Sequence, residues 1–222
     1  MQSLLLRADD VLRRRPMLDG RRASDIAMLA AVIVVFGVLY GAAMGSFGGV
    51  TSARALQMVY AGVKVPLLLL VTFALSLPSF FVINSLLGLR LDFAASLRAL
   101  VAAQAGLAVI LASLAPLVLV WYASFEDYSA AVLFNAAMFG VASVSAQRVL
   151  RGYYEPLVRR SSKHRWMLRA WLVIYAFVGI QMGWILRPFI GDPTSGVQFF
   201  RDEAWDNAYV ILAQLIWRTL AT

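Results

Sequence analysis

Residues 26–44 read IAMLAAVIVVFGVLYGAAM, a run with no charged residue and no proline. At about 1.5 Å of rise per residue, such a helix is about as long as the roughly 30 Å hydrocarbon core of a bilayer. The run is apolar on every side, the pattern of a helix surrounded by lipid or protein rather than one with a wet face. A cleaved signal peptide is the competing reading. Its apolar region normally covers only about 7–15 residues and ends at a small-residue cleavage site. This run is longer and follows the polar lead of residues 1–25, so it is expected to stay as a membrane span.

Four more apolar runs follow, at residues 65–88, 98–122, 129–150 and 167–186. The expected fold class is therefore all-α: a polytopic transmembrane helix bundle of about five spans, forming a single membrane domain over residues 1–222. Composition agrees, with 61% hydrophobic and 14% charged residues, against roughly 25% charged in soluble domains. With no cysteine in the chain, disulfides and thiolate chemistry are excluded. The net charge of +8 is scattered through short segments between apolar runs. Nucleic-acid binding calls for a basic face on a folded module, so no nucleic-acid partner is expected.

The connecting segments carry the remaining signals. Leu4, Leu5, Val11 and Leu12 recur at helical spacing and predict an amphipathic helix over residues 2–15, lying on the membrane surface and ending before Pro16. Residues 45–64 read as a glycine-rich turn and a short interfacial helix with Leu56, Val59, Tyr60 and Val63 on its apolar face. Pro66 then falls in the first turn of a span, while Pro78 and Pro116 are expected to kink their helices. A tight turn carries Glu126 and Asp127, and a basic loop follows residue 150. The tail, residues 189–222, is expected on the outer side with an interfacial helix at 205–220. With the N-terminus inside, the inner segments hold 15 of the 20 Lys and Arg and the outer segments 5. That bias predicts an N-in, C-out topology, and the arginine-rich inner segments suggest a bacterial inner (cytoplasmic) membrane.

Residues able to do chemistry are few. The lone His164 sits among Lys and Arg and reads as a solvated loop residue; a metal centre needs several ligands. No catalytic, cofactor-binding or metal-binding residue is assigned. No Asp, Glu, Lys or Arg falls in the middle of an expected span, which disfavours proton-coupled transport. Asn84, Gln104, Asn135 and Gln181 are neutral amides within spans, able either to bond across helices or, if they converge, to line a polar cavity. Gly37, Gly41 and Gly45 form a four-residue ladder on one helix face, and Gly179 and Gly183 repeat the spacing. Small residues at that interval let helices approach closely, inside one bundle or between chains. Trp184 and Arg187 precede Pro188 at the end of the last span, where they read as an interfacial anchor for a lipid or a partner's acid.

One resemblance emerges over residues 64–150. Val65-Pro66 at the start of an apolar helix, the connector Leu89-Arg90-Leu91-Asp92-Phe93-Ala94-Ala95-Ser96-Leu97-Arg98, and Ala115-Pro116 within the next helix resemble the Yip family of five-span membrane proteins. The resemblance implies a membrane-organising protein with a cytoplasmic N-terminus, and it implies no catalytic residues. The expected function is a non-enzymatic accessory or scaffold protein that packs with itself, as a homo-oligomer, or with a partner membrane complex among membrane lipids. The alternative is a small transporter, channel or lipid-handling protein with a neutral polar cavity. No cofactor is expected.

Overall fold

The computed structural model describes residues 2–13, 23–192, 196–200 and 209–210. Among these residues the chain forms six α-helices and no strand: α1 Gln2–Leu12, α2 Ala23–Gly45, α3 Ser52–Leu86, α4 Phe93–Ser124, α5 Tyr128–Arg160 and α6 Lys163–Leu186. One 3-10 turn, Arg90–Asp92, leads into α4. Five helices, α2 to α6, are long and apolar enough to cross a membrane. The helix expected at 205–220 lies outside the described residues, Tyr209 and Val210 excepted.

The α2–α3 pair organises the bundle. A side chain on Gly41 would begin 2.2 Å from the Ala61 carbonyl oxygen, and one on Gly45 would begin 2.7 Å from that of Gln57. Gly37 meets Pro66 at 3.2 Å. The glycine ladder therefore joins two helices of one chain, backbone against backbone. Where lipid and side chains are equally apolar, such close van der Waals contact is what holds helices together.

That contact explains why α3 is longer than expected. Instead of a turn and a separate short helix, residues 52–86 form one helix that passes through Pro66 and Pro78. Its first turns bury Gln57, Ala61 and Lys64, while Leu56, Val59 and Val63 are exposed. The apolar stripe expected on an interfacial helix points outward, and the small and polar stripe packs. A membrane bundle inverts the soluble rule because its exterior is hydrocarbon. Proline inside such a helix is tolerated when neighbouring groups occupy the space it frees, and Pro66 lies against Gly37.

A second difference concerns the basic loop. α5 continues to Arg160 and α6 starts at Lys163, so the arginines lie on helices. Leu150, Tyr154 and Leu157 from α5 join Met167 and Trp171 from α6 in a buried cluster with Phe80, Leu89, Ala99, Leu100 and Ala103. These apolar residues recur at i, i+4, i+7 among arginines, a helical pattern that the charge density obscured. His164 is fully buried rather than solvated. Its Nε2 lies 3.1 Å from Asp92 Oδ2, and Arg160 Nη1 donates to Asp92 Oδ1 at 3.3 Å. The histidine thus fastens the α5–α6 turn to the start of α4. Asp127 caps α5, its carboxylate accepting from the backbone N–H of Ser129 and Ala130 at 3.1 and 3.2 Å, the ordinary N-cap role of an aspartate.

Around α2 the helices form an open arc, in the order α6, α3, α2, α4, α5, with α5 and α6 meeting mainly in the cluster near their connecting turn. α1 packs on α4 and α2. It buries Ala8 and Val11, with Val11 over Gly106, and Arg7 pairs with Asp25 at 3.3 Å.

The glycine contacts yield a graded prediction. Gly41→Ala should cost about 1–3 kcal/mol, as overpacking does, because the new methyl meets backbone. Gly183→Ala, with nothing within 4 Å among the described residues, should stay within about 0.5 kcal/mol, as surface changes do. Unfolding of both variants in detergent micelles checks the contrast.

Candidate functional site

The open side of the arc is a crevice. Its floor is α3 and α4, through Leu69, Thr72, Ala103 and Gln104; its walls are α5, with Phe139, Ser143 and Gln147, and α6, with Tyr175 and Ile180. This middle chamber measures about 370 Å³. Towards the arginine-rich end it adjoins a chamber of about 610 Å³ between Arg148, Arg151, Tyr154, Glu155, Arg165 and Arg169, the two sharing Leu172. Towards the opposite end it adjoins one of about 420 Å³ lined by Asn135, Tyr128 and residues 187–190, sharing Leu68 and Phe139. Each volume lies in the range of small-molecule sites, roughly 300–1,000 Å³. The α5–α6 gap thus holds a file of three chambers running along the helices, basic at one mouth and apolar in the middle.

The far end is closed by the chain leaving α6. Four successive carbonyls, lacking helical partners there, are each held by a side chain. Lys64 Nζ donates to Pro188 O at 2.7 Å and Gln57 Nε2 to Phe189 O at 2.9 Å. Tyr128 Oη donates to Ile190 O at 3.3 Å and Arg54 Nη2 to Gly191 O at 2.6 Å. Lys64 also lies 4.8 Å from the Phe199 ring centroid. Buried backbone acceptors need donors, and here α3 supplies three of the four from one face. Arg54, Gln57 and Lys64 escaped the sequence reading, in which the first and last served only as outer charges. Their signal was the i, i+3 and i+10 spacing, which shares one helical face.

The four amides that would line a polar cavity if they converged do not converge. Gln104 Nε2 donates to Leu69 O at 3.1 Å and to Tyr175 Oη at 2.5 Å, tying α4 to α3 and α6 on the crevice floor. Asn135 Nδ2 donates to Tyr122 Oη at 2.6 Å and to Ala131 O at 2.9 Å, while Tyr40 Oη donates to Asn135 Oδ1 at 3.2 Å. Tyr122 in turn donates to Met44 O at 3.2 Å. This network joins α2, α4 and α5 and presents Asn135 to the far chamber. Asn84 is buried near the other end of α3, and neither of its amide atoms has a hydrogen-bond partner among the described residues. Gln181 is half-buried on α6 and lines neither the middle nor the far chamber. Two of the four amides therefore face the file of chambers, and both also join helices.

The other candidates separate in the same way. Gly37, Gly41 and Gly45 are fully used in the α2–α3 contact, and Gly179 meets Thr72 at 3.5 Å. Gly183 has no neighbour within 4 Å among the described residues. The Arg187 guanidinium lies 3.1 Å from the Trp184 ring centroid, a cation–π pair at the far chamber. Comparison with protein-family profiles, curated proteins and solved structures finds no match.

Removing the Lys64 ammonium leaves the Pro188 carbonyl without its charged donor, a loss of about 1.5–3 kcal/mol. Lys64→Met should therefore loosen the closing segment and leave the rest of the bundle intact. Faster amide hydrogen exchange at Phe189–Gly191, with unchanged exchange in α4, is the expected result.

Proposed function

We propose that this protein is a non-enzymatic, lipid-handling membrane protein that admits an amphiphile sideways from the bilayer into the crevice between α5 and α6. The separation of these two helices carries the reading. α4 and α3 each hold one of them, leaving a lined space along the bundle that opens towards lipid. Its middle is mostly apolar: Gln104 and Tyr175 bond to each other, and Thr72, Ser143 and Gln147 are the other polar side chains that line it. The segment at residues 188–191 closes the far end. A solute channel would require a polar lining through the middle, and the dispersed amides argue against one.

The orientation proposed with this function puts the arginine-rich end in the cytoplasm of a bacterial cell, as the distribution of Lys and Arg favours. The amphiphile then comes from the inner leaflet.

Native mass spectrometry of protein extracted gently from its own membrane tests the reading. Wild type is expected to retain one lipid. Ser143→Trp with Ala176→Trp fills the crevice from two exposed wall positions and should weaken retention at least about tenfold, equivalent to ~1.4 kcal/mol. Retention unchanged in that variant would remove the crevice from consideration.

A second reading, the scaffold, rests on one observation. Among the described residues nothing lies within 4 Å of a side chain begun at Gly140 on α5 or Gly183 on α6, two small-residue positions that suit another helix. A second copy or a partner span seated there would be separated by Gly140→Leu and Gly183→Leu. Chemical crosslinking in native membranes that gives the same products with and without these substitutions counts against it.

A further inference from the structure

We infer that the basic chamber at the inner mouth of the crevice binds the phosphate of an anionic phospholipid headgroup, with the acyl chains lying in the apolar chamber beyond it. The inference rests on the crevice reading and names its ligand class. Arg148, Arg151 and Glu155 lie at i, i+3 and i+7 on one face of α5, and Arg165 and Arg169 at i, i+4 on one face of α6. The two faces look into the same chamber. Four arginines therefore surround one space with a single acid, and that acid is occupied: Arg159 Nη2 donates to Glu155 Oε1 at 2.7 Å.

Among the described residues none of these four arginines forms an ion pair. Their neighbours on the same turn are committed elsewhere, Arg160 to Asp92 and Lys163 to the Leu87 carbonyl. Arg169 lies 5.2 Å from the Trp166 ring centroid, a contact that leaves its guanidinium edge free to donate. Like charges crowded around one cavity repel each other, and a bound anion relieves this while using the planar fork that suits guanidinium to phosphate. Basic pockets between transmembrane helices at the cytoplasmic face are suited to anionic headgroups.

The choice of a lipid over a free anion rests on the apolar chamber next to the basic one, the two sharing Leu172 as a wall residue.

The test offers the full-length protein, in detergent, phosphatidylglycerol and phosphatidylcholine of identical acyl chains, with native mass spectrometry as the readout. Wild type should prefer phosphatidylglycerol at least tenfold. Arg151→Glu should cut the preference about fivefold or more, and R148Q/R151Q/R165Q/R169Q should abolish it while still retaining lipid, each arginine being worth about fivefold near an anionic surface. Arg90→Gln, at the same end but outside the chamber, should change nothing. Equal retention of both lipids by wild type, or a preference that survives the quadruple variant, overturns the headgroup site and leaves the crevice reading standing. Failure of wild type to retain any lipid overturns both. Inorganic phosphate that displaces phosphatidylglycerol at equal concentration would show a free-anion site and overturn the lipid assignment.

Discussion

The contact between Gly41 and the Ala61–Gly62 backbone is the constraint on which the other helices depend. Hydrocarbon gives no hydrophobic push between helices, so two of them stay together only where their surfaces fit closely or their polar groups meet. Glycine at positions 37, 41 and 45 lets α2 lie against α3 for three turns. With that pair fixed, α4 docks on α2 from one side and α6 on α3 from the other. α5, joined to α4 by a tight turn, can follow only α4. The α5–α6 gap is thus a consequence of close packing elsewhere.

Polar residues are used sparingly, and several have a mechanical task. Asn135 gathers Tyr40 and Tyr122, so that three helices meet at one amide. Gln104 does the same for α3, α4 and α6. At the far end, Arg54, Gln57, Lys64 and Tyr128 meet the hydrogen-bonding demand of a chain that has left its helix. These donors are expensive to bury alone, and each has a carbonyl to serve. The result is a rigid floor and a closed end around a space whose two walls touch each other very little. Stiffness on three sides and freedom on the fourth suit the lateral admission of a flexible, mostly apolar ligand.

The two ends of the α5–α6 gap differ in how their charges are handled. At the far end every cation described above has a backbone or aromatic partner within the chain. At the arginine-rich end some cations are committed, as Arg160 is to Asp92, and others gather around a chamber with no ion pair among the described residues. In the proposed orientation, the positive-inside tendency accounts for arginines being at that end. It does not account for four of them facing one cavity, which depends on the rotation of α5 and α6 about their own axes.

Sequence by itself determined the all-helical class, the five apolar helices and the glycine ladder, because span length and four-residue spacing are local properties of a helix. It also singled out Gln104 and Asn135 as polar groups in apolar surroundings. The destinations of these residues were decided only by tertiary structure. Whether Gly41 faces α3 or another chain, whether Asn84 meets Gln104, and whether His164 is wet or buried beside Asp92 all depend on which helices become neighbours. The continuous α3 was hidden for a related reason: Gly48, Gly49 and Pro66 are local breakers, and only the fit against α2 makes residues 52–64 part of the same helix. The crevice was the least legible of all, since it is a space left between helices, and no stretch of sequence encodes a space.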